Sequence, residues 1–477
     1  MTNKSLYVQA NYEVNRTPQF KVLSNDQCEE AYLGALEILE RTGVEIDSAE
    51  ALRLFQDNGG WVDGNRVRFP SAVIERLVKN VPCRLVISNR TGKRTLFLEA
   101  QNIYLGPGSG QSFVLDPLTG ERRAFQNSDD EKTALVCDAL SNIDFAAGQG
   151  VYAFADLVKN TVKPIIVQVS TVEQCTDIMD IAVAVAGSKE AVERNPFFML
   201  RVESTAPLKG AGGAIDAAIF AGKNQIPVIY STQAFSGDTA PGTMAGSLVL
   251  VLADCLVGLA AHQLTKPGAP IVMGGLISAL DKGTNTRSYG SPEHGLLSSA
   301  FVDVCRYLHI PSFVMGGCTD AKAIDAQGSV EAVFSLLSGG LSGANLIQGC
   351  NIVESGNTAS LDLLVMNNEI IGMVKRVLKG IPATDETMAV DVIDEVGPGG
   401  HFLGAEHTLT NFRGETWWPS LLNRNRYDDW VAGGKKTLSK RVNEKTQNIL
   451  HTHQPEPLPE DRLAGINKIL AALKSRA

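Results

Sequence analysis

No Cys-x-x-Cys pair, no His-Glu-x-x-His and no Gly-x-x-x-x-Gly-Lys-[Ser/Thr] occurs in this chain of 477 residues. Its eight cysteines stand singly at 28, 83, 137, 175, 255, 305, 318 and 350, which argues against a disulfide framework and predicts reduced thiols. A basic excess is missing too. Lys and Arg number 43 against 52 Asp and Glu, for a net charge of −9, and a nucleic-acid partner would call for the opposite balance. The longest apolar run, "AGSLVLVLADCLVGLAA", is broken by Asp254, so a buried helix is expected there and no membrane partner. Polar residues, "MTNKSLYVQANYEVNR", open the chain, so no signal peptide and a cytoplasmic location are expected.

What is present is glycine, 45 residues of it, with 44% hydrophobic and 20% charged residues, a composition that suits a compact α/β protein with many tight loops. Residues 1–100 read as an N-terminal helical layer. In "NDQCEEAYLGALEILERTG" a capping Asn25 and an acidic first turn precede apolar residues at helical spacing, and Gly43 ends the helix. "CRLVISNR" and "RTLFLEA" alternate as a small hairpin does. From residue 103 a repeat takes over. Eight short apolar runs end in Gly, Ser, Gln or Glu: "IYLGPG", "FAAGQGVYA", "PIIVQVS", "FFMLRVES", "PVIYSTQAF", "PIVMGGLI", "PSFVMGGC" and "ANLIQGCNIVES". Helical segments separate most of them, and only the second-to-third connection looks too short for a good helix. Continuous apolar strands suit a parallel sheet covered on both faces. Eight units over roughly 280 residues predict a (β/α)8 TIM barrel over 101–385, with a C-terminal wrapping extension over 386–477.

The Gly-Pro-Gly-Ser-Gly turn after the first strand (106–110) is followed by "QSFVLDPLTGERR", a strand and turn, which weakens a nucleotide-loop reading. At the C-terminal end of a barrel strand the same glycines would line the mouth where such enzymes keep their sites. Gln111, Glu203, Gln233, Asp320, Gln348 and Glu354 fall at or just past strand ends, where polar side chains are placed to meet a ligand. Tyr104, Phe113, Tyr152, Tyr230, Phe235 and Tyr289 sit at strand ends or in the loops after them; such rings can form a cation–π cage or simply pack. His401 and His407 lie in a glycine-rich tail, "EVGPGGHFLGAEH", that composition marks as a candidate cover for the mouth. Cys318 and Cys350, both at strand ends, would need a histidine to make a zinc site, and rim packing is the simpler reading; no metal is expected.

The ordered set "GPGSGQSFVLDPLTGERR", "GDTAPGTMAGSLVL", "GSPEHGLLSSAFVDVCRYLHIPSFVMGGCTDAKAIDAQ", "GANLIQGCNIVESG" and "EVGPGGHFL" resembles the trimethylamine methyltransferase family over nearly the whole chain. The likeness is to its non-pyrrolysine branch, whose best-known type is the glycine betaine:corrinoid methyltransferase. The resemblance implies a (β/α)8 barrel. It also implies methyl transfer to the Co(I) corrinoid of a partner protein, with no cofactor tightly bound to this chain. Archaeal trimethylamine enzymes of the family hold the amine with pyrrolysine, and this sequence has only the standard twenty amino acids. That points to quaternary amines, whose nitrogen already carries the charge, so that displacement of one methyl releases a neutral tertiary amine. Glycine betaine, giving dimethylglycine, is the expected substrate, and carnitine or proline betaine are alternatives.

On this resemblance Gly316, Gly317 and Asp320 are expected near the transferred methyl. Tyr104, Gln111, Phe113, Tyr152, Glu203, Gln233, Tyr289, Gln348 and His401 are expected to bind substrate, with Arg287, Lys322 or His401 as the cation for a carboxylate. The corrin-binding signature Asp-x-His-x-x-Gly is absent, so a separate corrinoid protein is the expected partner, and the chain is expected to form a homo-oligomer. A zinc-dependent barrel enzyme and a non-catalytic betaine-binding protein are the other classes; metal analysis and turnover with Co(I) corrinoid separate them.

Overall fold

The structure, a computed structural model, describes residues 18–210 and 212–476, so the polar opening stretch of 1–17 lies outside it. Eight parallel strands form its centre: β1 (Tyr104–Gly106), β2 (Ala146–Gln149), β3 (Ile165–Gln168), β4 (Phe198–Thr205), β5 (Val228–Ser236), β6 (Ile271–Asp281), β7 (Ser312–Met315) and β8 (Leu346–Gln348). A long helix follows each strand: α1 (Asn127–Ala139), α2 (Gly150–Asn160), α3 (Val172–Ala186), α4 (Gly212–Lys223), α5 (Met244–Thr265), α6 (Pro292–Tyr307), α7 (Ala326–Ser342) and α8 (Leu361–Leu378). The strands pair in chain order from β2 to β8, and β8 then pairs with β1. They read as uninterrupted apolar runs because both faces are covered, by helices outside and by a second apolar cluster around Tyr104, Phe145, Met199 and Phe313 within.

The expected closed barrel is corrected at one seam. β1 and β2 form no ladder, so the sheet is not closed. Asp144 explains this: its backbone N–H reaches Leu105 O at 2.7 Å, while its carboxylate accepts the Leu105 N–H at 3.0 Å. A side chain thus takes the donor that a neighbouring strand would use. At Gly106 a Cβ would lie 2.5 Å from the Phe145 ring, so only glycine admits that ring between the two strands. The second-to-third connection is corrected as well, since it contains the eleven-residue helix α2.

The N-terminal layer holds the helices Asn25–Arg41, Ala49–Asp57 and Ser71–Val78. Ser24, rather than Asn25, caps the first of these, in a reciprocal capping box with Gln27. The hairpin Leu85–Ser88 with Arg94–Leu98 forms as expected and adds Leu85, Ile87, Leu96 and Leu98 to the inner cluster. Its Phe97 N–H donates to the Tyr104 hydroxyl at 2.8 Å, which ties the start of β1 to this hairpin. At the other end of the chain, Leu438–Thr452 packs on α1 and α8, and Glu460–Arg476 packs on α3. His453 accompanies this docking through Asp138, at 2.8 Å.

Helix α5 is long and apolar enough to cross a membrane, but most of it is buried inside the protein. Its Asp254 is buried, and burial pushes its carboxyl up to about 7. The folded protein therefore keeps a proton there that the unfolded chain releases near pH 4. Stability must fall as pH rises between these values, since the folded state binds more protons across that window. Asp254→Asn is expected to raise the melting temperature at pH 8 and to leave it nearly unchanged at pH 4, as thermal unfolding at the two pH values will show.

Candidate active site

The strands deliver one side chain after another to a cavity of about 270 Å³ at their C-terminal ends. The residue that closes each of β2, β3 and β8 is a glutamine, Gln149, Gln168 and Gln348, and all three line it. On β4, Arg201 and Glu203 are two apart, so the pleat turns both to the same face. β5 adds Gln233, β6 leads to Tyr289, β7 gives Phe313 and Met315, and the loop after β1 brings Ser109, Gly110 and Gln111. The glycine-rich turn thus borders this cavity.

The polar groups are ordered by one another. Arg201 pairs with Glu203 and donates from Nη1 to Gln168 Oε1 at 3.2 Å, with its guanidinium carbon 5.5 Å from the Phe313 ring centre. Gln233 donates to the Tyr289 hydroxyl at 2.5 Å. Burial pushes the Tyr289 phenol pKa up, so the group stays a neutral hydroxyl. Three buried polar atoms of residues that line this cavity have no protein partner: Ser109 Oγ, Arg201 Nε and Gln348 Oε1. Two of these are donors, and a buried donor left without an acceptor is costly. A ligand carrying acceptor oxygens would satisfy them.

Gln111, Glu203, Gln233, Tyr289 and Gln348 are thus brought together, whereas the other expected residues are not. Tyr104 lies at the opposite end of β1, bound to the Phe97 amide. Phe113 lies on a hairpin with the Arg122 guanidinium 3.4 Å above its ring. Tyr152 sits on α2, 41% exposed, on the outside of the sheet. His401 is exposed in a segment anchored at the end of α8, where Arg376 Nε donates to Glu415 O at 3.0 Å. Of the expected cations, Arg287 is exposed beside Phe235 and Lys322 donates to Asp320 O at 2.7 Å. The cation in the cavity is Arg201, which was missed.

Gly316 and Gly317 lie behind the wall. Gly317 has φ +77°, donates its N–H to Ser335 Oγ at 3.0 Å and accepts from Asn367 at 2.7 Å, all inside packed structure. Asp320 stands between site and scaffold. Its carboxylate accepts from the Tyr289 and Gly290 amides at 2.9 and 3.0 Å, from Ser355 Oγ at 2.9 Å and from Ser288 Oγ. It therefore holds the strap that carries Tyr289. Asp320→Asn replaces one acceptor by a donor that faces N–H groups, and a roughly tenfold loss of kcat/KM is expected from a cost of about 1.4 kcal/mol. Steady-state kinetics beside a melting curve will separate this loss from unfolding.

Cys318 and Cys350 are buried with their thiol pKa values pushed up by burial, and no group of three or more metal-ligating side chains occurs among the described residues.

The family model for trimethylamine methyltransferase (MTTB) matches residues 2–476. The chain belongs to this family. It is 32% identical to trimethylamine methyltransferase MttB of Desulfitobacterium hafniense (strain DSM 10664 / DCB-2), across 95% of this chain and 92% of that protein. To the glycine betaine methyltransferase of Desulfitobacterium hafniense (strain Y51) it is 30% identical, across 95% and 97%. The crystal structure of a hydroxylamine MtmB complex superposes with a TM-score of 0.50 at 11% identity, across 97% of this chain and 90% of that one, a likeness of fold alone. The chain is thus a methyltransferase-family protein with a mixed α/β fold.

Proposed function

We propose that this protein moves a methyl group from a carboxylate-bearing quaternary amine, glycine betaine being the simplest, to the Co(I) corrinoid of a partner protein, releasing dimethylglycine. The reading rests on one observation: the donors Ser109 Oγ and Arg201 Nε stand unpartnered in a cavity that also presents Tyr289 and Phe313. A betaine is a zwitterion, and the cavity holds one cation and one anion, Arg201 and Glu203. Arg201 and Ser109 receive the carboxylate in bidentate fashion. The ammonium, which has no hydrogen to donate, rests between the Glu203 charge and the Tyr289 and Phe313 rings. Trimethylamine, which lacks a carboxylate, would leave the donors unsatisfied.

The partner's Co(I) supplies the nucleophile. The chain's own residues hold the substrate and aim one N-methyl at the mouth, and no general base is required for a displacement that releases a neutral amine. A barrel-like curl of the eight strands fits this reading, since it converges their ends on one ligand. The corrinoid protein docks over the Ser109–Gln111 side of the mouth. A homo-oligomer is supported by the apolar surface of the tail, where Leu403 is 81% and Leu409 is 70% exposed. A cytoplasmic location goes with a partner whose corrinoid must be kept reduced.

The test is to mix the protein with Co(I) cobalamin and glycine betaine, carnitine, proline betaine, dimethylglycine or trimethylamine, and to follow the corrinoid spectrum. Loss of Co(I) with a betaine and not with trimethylamine is expected. Comparable turnover of trimethylamine overturns the substrate assignment.

A further inference from the structure

A second cavity, of about 210 Å³, lies across the Ser109–Gln111 loop from the first, and Gln149 borders both. It opens where β1 and β2 fail to pair, and its outer wall is the start of α1, with Asn127, Asp130 and Thr133. This space exceeds what one water or a metal ion needs. No lysine, arginine or histidine lines it among the described residues, and its one ionisable side chain is Asp130. Phe125 supplies an aromatic ring, and the other polar groups, Gln111, Asn127, Gln149 and Asn351 among them, are uncharged. The wall therefore sets one carboxyl without a cationic partner in the cavity beside one aromatic face. Burial first, and then the neighbouring acids Asp156 and Asp129, push the Asp130 carboxyl up to about 7. Asp129 is already neutralised by Arg123 at 2.7 Å, so that guanidinium is engaged elsewhere.

We propose that this cavity binds a small organic ammonium ion, with Asp130 as its counter-ion and the Phe125 ring as its apolar wall. The proposal rests on the proposed function only in that this cavity adjoins the first, sharing Gln149 and the Ser109–Gln111 wall, and its ligand class is an ammonium ion without a carboxylate, since Asp130 would repel a carboxylate. A cation there restores the carboxylate charge that burial opposes. The ring face takes the methyl groups, which no hydrogen bond can.

The experiment is calorimetric titration of the full chain with trimethylammonium chloride and, separately, with glycine betaine. Asp130→Asn is expected to weaken trimethylammonium at least about tenfold while glycine betaine binds as before; Arg201→Met is expected to do the reverse. Phe125→Leu should weaken trimethylammonium several-fold with the carboxylate retained, and melting curves show that each variant is folded. If Asp130→Asn and Phe125→Leu both bind trimethylammonium with the wild-type Kd, the second site is wrong. If trimethylammonium depends on Asp130 while glycine betaine does not bind at all, the second site stands and the substrate assignment alone fails.

Discussion

Arg201→Met is expected to lower kcat/KM for glycine betaine by about 100-fold or more while leaving the protein folded. The guanidinium is the one cation lining the cavity among the described residues, its side chain is 8% exposed, and its Nε has no protein acceptor. Losing a desolvated partner of a carboxylate costs about 3 kcal/mol. Each 1.4 kcal/mol is tenfold. Glu203 would then be left alone, but at 27% side-chain exposure it keeps part of its hydration, which limits the cost to stability. The double variant Arg201→Met with Glu203→Gln removes both charges, and is expected to melt near the wild type and still fail to bind betaine. Wild-type kinetics in Arg201→Met would place the carboxylate elsewhere.

Gly317→Leu is expected to unfold the protein at a lower temperature, and any loss of transfer will follow from that. Leucine at φ +77° carries a backbone cost of about 1–2 kcal/mol. Its Cβ would already meet Asn367 Nδ2 at 3.0 Å and Cys350 Cα at 3.2 Å, and overpacking adds about 1–3 kcal/mol. A fall in melting temperature of roughly 2–5 °C follows, because the unfolding entropy of a chain this long is large, and calorimetry reads it directly. Gly317→Ala carries the same backbone strain with less crowding and should fall between leucine and wild type. A leucine variant that melts with the wild type would show that this turn gives way at little cost.

Gly317 illustrates what the sequence could and could not carry. "MGGC" at the end of a strand marks a turn, and the turn is there, but whether its glycines face the ligand or the packed helices depends on α7 and α8, far along the chain. The strands and helices themselves were legible, because apolar runs bounded by glycine and proline record burial on two faces. α2 was hidden because "GQGVYA" reads equally well as a strand. The open seam depends on a single aspartate, Asp144, and no local pattern announces it. Tyr104 and Tyr289 are both buried tyrosines of the strand-rich core, yet one stands at the start of its strand and the other beyond the end, which decides floor or mouth. Two signals were available and went unused: an arginine inside the apolar run "FFMLRVES", and the recurrence of glutamine as the closing residue of β2, β3 and β8. A charge buried in a parallel strand needs a reason, and here the reason is the cavity.

The measurement closest to the central claim is a crystal structure of the protein with glycine betaine bound. The account predicts one carboxylate oxygen within hydrogen-bond distance of Arg201 Nε and the trimethylammonium group against Tyr289 and Phe313, with an N-methyl directed to the mouth. A ligand seated with its carboxylate away from Arg201, or bound outside the cavity at the strand ends, would contradict it.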